Sequence, residues 1–228
     1  MLATNTNATN PDAVTDEPHR PGPPAAESTR PFVLACGALV RELRAVLDAD
    51  QLHGAVDVDY LPAPLHNRPE RIVPAIDDRL ADIDPGRPVF LAYADCGTGG
   101  MLDDYIARSH RDITRLPGAH CYEFFAGTDR FTDLHDREPG TLYLTDFLAK
   151  HFDALIWEGL GLARHPELRD VYFANYRCVV LLSQSADDDI VELARAAATR
   201  LSLEFRHEPT GLEPFAAQVR VGLRSEVG

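Results

Sequence analysis

Short, continuous apolar runs alternate with longer amphipathic stretches along most of the chain. Runs such as 32–36 and 88–93 are typical of strands that are covered on both faces of a sheet. After the first run, apolar residues recur at every third or fourth position, which is typical of a helix with one buried face. Strands that alternate with helices form βαβ units with parallel neighbours. The pattern therefore predicts an α/β fold with a mainly parallel sheet flanked by helices, in a Rossmann-like three-layer arrangement.

The pattern predicts a single α/β domain over residues 31–215. Residues 1–30 are rich in Asn, Thr, Pro and Ala and lack an apolar centre, so we expect a disordered tail instead of a secretory signal. Residues 216–228 are expected to form a C-terminal tail. The segment 141–144 is predicted either as a strand or as the start of a helix. The other strands are predicted near 32–36, 55–60, 88–93, 113–116, 176–182 and 203–205.

Composition excludes some classes of partner. The net charge is −14, and nucleic-acid binding requires a clustered basic surface, so we expect no nucleic-acid partner. The same charge disfavours an anionic membrane surface, and no apolar run is long enough to span a bilayer. We therefore expect a cytoplasmic protein whose four cysteines stay reduced. In that compartment, cysteines that serve metal binding or catalysis are more plausible than a disulfide framework.

Three of the cysteines follow predicted strands. Cys36 and Cys96 each come after an apolar run and directly before a glycine, and Cys121 follows His120 after the short run near 113–116. Because the carboxyl ends of parallel strands share one edge, these thiols are predicted to meet there. A cysteine at the start of a helix is also expected to have a lowered pKa. The alternative is that each is a small buried hydrophobe, which is our interpretation of Cys178.

Polar residues near these thiols are candidates for substrate chemistry. His66 and Asp95 are predicted to transfer protons, and Asn67 and Arg68 to orient or clamp a substrate. The alternative is that they cap and pair within helix starts. The glycine-rich loop after Cys96 could cradle an anion with its N–H groups, or it could simply form a tight turn. Its substrate-binding candidates are Gly97, Thr98, Gly99 and Gly100.

Four segments in this order resemble an uncharacterised prokaryotic family of proteins of unknown function, number 1638. They are Leu34–Leu39, Leu65–Ile72, Tyr93–Gly100 and His120–Glu123, and the resemblance extends over roughly 32–210. The resemblance implies a single α/β domain. It also implies an association with corrinoid-dependent methyltransferases that act on methylamines and betaines. It implies neither a reaction nor catalytic residues.

Together, these observations lead to a hypothesis of a metal-thiolate protein that serves corrinoid-linked one-carbon metabolism. Cys36, Cys96 and Cys121, with His120 or His66 nearby, would hold a metal ion, with zinc favoured, that binds or activates a small-molecule substrate. Such a protein could be a metal-dependent transferase or lyase. One alternative is an iron–sulfur enzyme with an open substrate-binding iron. The other is a non-enzymatic accessory protein that binds a corrinoid protein or delivers a metal.

Overall fold

A computed structural model describes residues 30–227, with side chains from 30 to 223. The predicted tail at residues 1–30 therefore lies outside the described residues, apart from Arg30. The strands of the described part are β1 (Phe32–Cys36), β2 (Asp57–Leu61), β3 (Val89–Ala92), β4 (Ile113–Arg115), β5 (Thr141–Leu144), β6 (Cys178–Ser183) and β7 (Glu204–Pro209).

Helices connect these strands. The α-helices are α1 (Val40–Ala49), α2 (Ile72–Leu80), α3 (Met101–Arg108), α4 (Cys121–Ala126), α5 (Thr128–Arg137), α6 (Asp146–Lys150), α7 (Leu168–Tyr172), α8 (Asp188–Leu201) and α9 (Glu213–Val227). Single 3₁₀ turns are formed by Gly37–Leu39, Ala63–Asn67 and Pro69–Arg71, and Asp153–Glu158 is a π-helix. None of the helices in the described range is long and apolar enough to cross a membrane.

The strands form two sheets, and every strand pair in them is parallel. The first sheet has four strands in the order β2-β1-β3-β4, and the second has three in the order β5-β6-β7. The predicted α/β fold with parallel strands flanked by helices is confirmed. The parallel strands are divided between two sheets, a division that local patterns do not reveal, because they identify strands without identifying their neighbours.

The first sheet is buried on both faces, as its continuous apolar runs predict. Successive side chains point to opposite faces, so Val33 and Phe90 pack on one side while Leu34 and Leu91 pack on the other. The first side is covered by α1, α4 and α9, and the second by α2 and α3. In the second sheet, β6 is buried at every position between α8 on one face and α4 and α5 on the other.

The C-terminal part differs from the tail predicted for residues 216–228. Instead, α9 continues to Val227 and packs on the first sheet. Phe215, Val219 and Leu223 are buried, and Gly222 lies so close to the ring of Phe90 that no larger side chain would fit. These apolar residues recur at every fourth position and complete the cover that α1 and α4 give to this face of the sheet, as expected of an amphipathic helix.

Candidate functional site

The strand order of the first sheet places the predicted site residues along one edge. Cys36 ends β1, Cys96 follows β3, and Cys121 opens α4 after β4. His66 lies in the 3₁₀ turns after β2. The chain runs from β1 to β2 on one side and then to β3 on the other. The carboxyl ends of β1 and β3 therefore flank the position where open α/β sheets bind ligands.

Two backbone hydrogen bonds hold the segments that carry Cys96 and Cys121 together. The Asp95 N–H donates to the Gly118 carbonyl at 3.1 Å, and the Cys96 N–H donates to the Ala119 carbonyl at 2.9 Å. These bonds extend the contact of β3 with β4 beyond the strands themselves. The start of α4 is thereby fixed beside the glycine-rich loop, although the two cysteines are far apart in sequence.

All three thiols line one cavity, which we call the thiol cavity. Its volume is about 30 Å³, enough for one or two water molecules or a metal ion, since a water needs at least about 10–15 Å³. Residues that follow β5 close its other side, so both sheets contribute to it. The remaining lining residues include Ala38, Leu39, Ala63, His66, Tyr93, Phe124, Phe125, Thr145, Phe147, Leu148 and Leu155.

The structure does not arrange these thiols as a finished metal site. Among residues 30–227, no group of three or more His, Cys, Asp or Glu side chains is positioned to hold a metal ion. His120 precedes α4 at an exposed position and is not among the residues lining the thiol cavity. The structure therefore brings the three cysteines to a common cavity without His120, and ligation of a metal by them stays a prediction.

The expected lowering of the thiol pKa values is wrong. Burial raises the pKa of Cys36, although the Ala38 N–H and the Tyr93 hydroxyl partly oppose it. Burial and the nearby Cys36 raise the pKa of Cys96 to about 12, and the same effects raise that of Cys121 well above its ordinary value. Loss of hydration and repulsion between the sulfur atoms thus outweigh the lowering of the pKa that is expected at the start of a helix. All three groups are therefore held as neutral thiols.

Cys96 has a backbone conformation that is rare for a residue with a side chain. Its φ angle is +52°, in the left-handed region that favours glycine. Such strain persists only where the surrounding structure imposes it, and it is common at functional sites. The Cys96 N–H is held by its hydrogen bond to the Ala119 carbonyl, and the glycine-rich turn follows directly.

The glycine-rich loop is organised around Asp95. Its carboxylate accepts hydrogen bonds from the Thr98 hydroxyl at 2.5 Å and from the N–H groups of Gly99 and Gly100 at 3.0 and 2.9 Å. Burial alone would raise the pKa of Asp95, but these hydrogen bonds together lower it. The arrangement favours the tight-turn interpretation over an anion cradle. Substrate binding by Gly97 and its neighbours stays a prediction, as does proton transfer by Asp95.

A buried tyrosine adds a polar group that sequence reasoning missed. Tyr93 is 2% exposed and lines the thiol cavity, and its hydroxyl has no hydrogen-bond partner within the described part of the chain. The hydroxyl is close enough to the Cys36 sulfur to affect its pKa, yet the pair lacks hydrogen-bonding geometry. Burial and the nearby Cys36 and Cys96 raise the pKa of Tyr93 well above its ordinary value. A neutral donor without a partner therefore lies beside the thiols.

His66 lies between the thiol cavity and a second, larger cavity of about 300 Å³. Although His66 as a whole residue is exposed, burial of its ring among protein atoms lowers the pKa of the imidazole, and the neighbouring His120 lowers it further. At neutral pH the imidazole is therefore neutral and offers one donor and one acceptor nitrogen. This state is the one that a proton acceptor requires.

Asn67 and Arg68 are placed differently from each other. The Asn67 side-chain amide donates to the Leu155 carbonyl at 2.8 Å and also lines the larger cavity. This bond connects the turns after β2 to the π-helix, a helix type that is frequent at functional sites. Arg68 is exposed and is not among the residues lining either cavity. Their roles in substrate binding stay predictions.

Cys178 lies away from the other cysteines, as its apolar sequence context indicates. It is fully buried in β6 of the second sheet, with its sulfur 3.3 Å from the Thr141 hydroxyl oxygen.

The larger cavity was missed by sequence reasoning, since much of its wall comes from 156–176, which has little periodicity. The close spacing of Tyr172, Phe173 and Tyr176 was the available signal.

Comparison with known proteins gives one match. Residues 60–218 match the model of a family described as protein of unknown function DUF1638. The match includes His66, Cys96 and Cys121, and it begins after β1 and Cys36. Searches of curated proteins and of solved structures find no match to the chain. Since the matched segment covers most of the chain, the protein belongs to the DUF1638 family.

Proposed function

We propose that this protein binds a single soft metal ion, with zinc favoured, through Cys36, Cys96 and Cys121, and uses it to bind or activate a small substrate. The observation that carries the proposal is the lining of one small cavity by all three thiols. Three thiolates suit zinc and leave a fourth coordination position for a substrate. The donor set and the cavity size therefore fit such an ion, although the side chains must close in on it.

The protonation state of the cavity also favours a metal over a free nucleophile. A buried thiol gives up its proton only if a positive charge compensates for the lost hydration. Metal binding supplies that charge and displaces the protons. A reactive free cysteine would instead need a lowered pKa, and here the pKa values of all three thiols are raised.

The surrounding residues suit the handling of a substrate at such a site. The metal would supply Lewis-acid activation of a substrate thiol or another acceptor. The Tyr93 hydroxyl could donate a hydrogen bond to a thiolate or to the substrate, because it is buried without a partner. Neutral His66, between the two cavities, could accept a proton from the substrate.

The alternatives differ in what the cavity must contain. A four-iron cluster needs several times the space of one ion, so the volume of about 30 Å³ favours a single metal. A metal-delivery protein would bind its ion at the same thiols but release it readily. The corrinoid link and a corrinoid protein partner rest on the family resemblance alone, as does the role in one-carbon metabolism.

Metal analysis after anaerobic purification tests the proposal. We expect a single zinc ion per chain in the wild type, and loss of tight binding in Cys36→Ser, Cys96→Ser and Cys121→Ser. Cys178→Ser is the matched control, because this cysteine is buried in the other sheet, and it should retain the metal.

Other outcomes separate the alternatives. A brown protein that contains iron and sulfide would support the iron–sulfur enzyme. Zinc that is lost to a mild chelator within minutes would support metal delivery. Retention of tightly bound metal by all three single variants would reject the shared site.

A further inference from the structure

The larger cavity, which we call the aromatic pocket, lies beside the thiol cavity. Its volume of about 300 Å³ is at the lower end of the range for small-molecule sites. Three large residues on its wall are exposed, Leu160 at 39%, Tyr172 at 47% and Tyr176 at 37%. Exposed apolar surface of this kind in a concave site is typical of ligand binding. The other lining residues are His66, Asn67, Tyr122, Leu142, Leu148, Leu155, Ile156 and Phe173.

The two cavities share part of their walls. His66, Leu148 and Leu155 line both of them, so a ligand in the aromatic pocket would have one end next to the thiol cavity. The Asn67–Leu155 hydrogen bond fixes the shared wall from the side of the first sheet. The aromatic pocket is therefore placed to receive the body of a molecule whose reacting end lies near the thiols.

The chemistry of the wall restricts the ligand. No Asp, Glu, Lys or Arg side chain is among the residues that line the aromatic pocket. Its polar groups are tyrosine hydroxyls, one amide and the neutral ring of His66. An anionic ligand would find no positively charged partner on this wall and would gain little here. Aromatic and aliphatic side chains favour an apolar body, and aromatic ring faces are also compatible with a cationic group.

We propose that the aromatic pocket binds the body of a mainly apolar small molecule without a negative charge, whose polar or sulfur-containing end points toward the three thiols. This proposal deepens the proposed function and rests on it for the role of the thiols. It names the substrate class of the site: a neutral or cationic molecule with a compact hydrocarbon part. Tyr172 and Tyr176, at the exposed side, form the outer wall against which that part packs.

Three probes of nearly equal shape test the charge preference: 3,3-dimethylbutan-1-ol, which is neutral, choline, which is its cationic isostere, and 3,3-dimethylbutanoate, which is anionic. Binding is measured by calorimetry with the zinc-loaded protein at neutral pH. We expect the alcohol and choline each to bind at least about tenfold more tightly than the carboxylate. Binding of the carboxylate as tight as that of the alcohol would overturn the proposal, and so would absence of binding by the alcohol or by choline.

Variants locate the binding to the pocket. Tyr172→Ala and Tyr176→Ala should each weaken binding of the alcohol about tenfold, because a large aromatic contact is lost. Both residues are partly exposed, so folding should survive. Val171→Ala is the matched control: it is next to Tyr172 on α7, 67% exposed, and not among the pocket-lining residues. Unchanged affinity in both tyrosine variants, or an equal loss in Val171→Ala, would contradict the assignment.

Metal content measured on the same samples separates the two proposals. Tyr172→Ala should keep its metal, whereas Cys121→Ser should lose it. If metal binds as proposed and the alcohol does not, the pocket assignment alone fails. If the alcohol binds at the tyrosines and the thiols hold no metal, the proposed function fails and the pocket remains.

Discussion

Glycine at position 96 should give a more stable protein than alanine at the same position, reversing the usual order. The reason is the left-handed backbone of Cys96, with its φ angle of +52°. Both substitutions remove the thiol, so neither variant can bind metal through this residue. Their comparison therefore isolates the effect of a Cβ atom on a strained backbone.

The magnitude follows from two opposing effects. Holding a residue with a Cβ atom in the left-handed region costs about 1–2 kcal/mol, which glycine avoids. Glycine gains more conformational entropy in the unfolded chain, which costs about 0.4–1 kcal/mol relative to alanine. We therefore expect Cys96→Gly to exceed Cys96→Ala in free energy of unfolding by about 0.5–1 kcal/mol.

Urea unfolding of the metal-free variants measures this difference. Cys36 is the matched control, because it faces the same cavity with an ordinary φ angle of −65°. There the usual order should hold, with alanine more stable by about 0.4–1 kcal/mol. If alanine at position 96 proves as stable as glycine or more so, the backbone strain is absent and our reasoning about this turn is refuted.

Three other properties of the site can be measured directly. Gly37→Ala should lower the free energy of unfolding by about 1–3 kcal/mol, because a Cβ atom would lie 2.8 Å from the Leu61 carbonyl oxygen. Gly54→Ala is the control: a Cβ atom there meets open space, so the free energy of unfolding should not fall in this way. The pKa of His66, measured by NMR, should be below 6.5 and should rise in His120→Ala; an unchanged value would contradict the charge effect. In the metal-free protein, Cys96 should be alkylated up to about a thousandfold more slowly near neutral pH than in the unfolded chain, since its pKa is raised to about 12. Equal alkylation rates would contradict the burial of the Cys96 thiol.

Local pattern was sufficient for much of the fold. The buried strands β1 and β3 were identifiable because residues that are apolar at every position suit a strand covered on both faces. The segment that forms α9 was missed, although Phe215, Val219 and Leu223 recur at helical spacing. The division into two sheets could not be predicted, because strand pairing depends on contacts between distant segments.

The site was predictable in position but not in chemistry. The strand ends indicated that Cys36, Cys96 and Cys121 would meet at one edge, and the order β1-β3-β4 places them there. Their raised pKa values depend on the cover that residues such as Phe147 and Leu148 provide from beyond β5. That cover comes from the separate sheet, and no local feature of the sequence around the cysteines indicates it.

X-ray absorption spectroscopy of the zinc-loaded protein tests the central claim most directly, since it counts the atoms bound to the metal. The account predicts three sulfur neighbours at about 2.3 Å and one lighter or exchangeable ligand. A coordination shell of nitrogen and oxygen alone, or with a single sulfur, would contradict it.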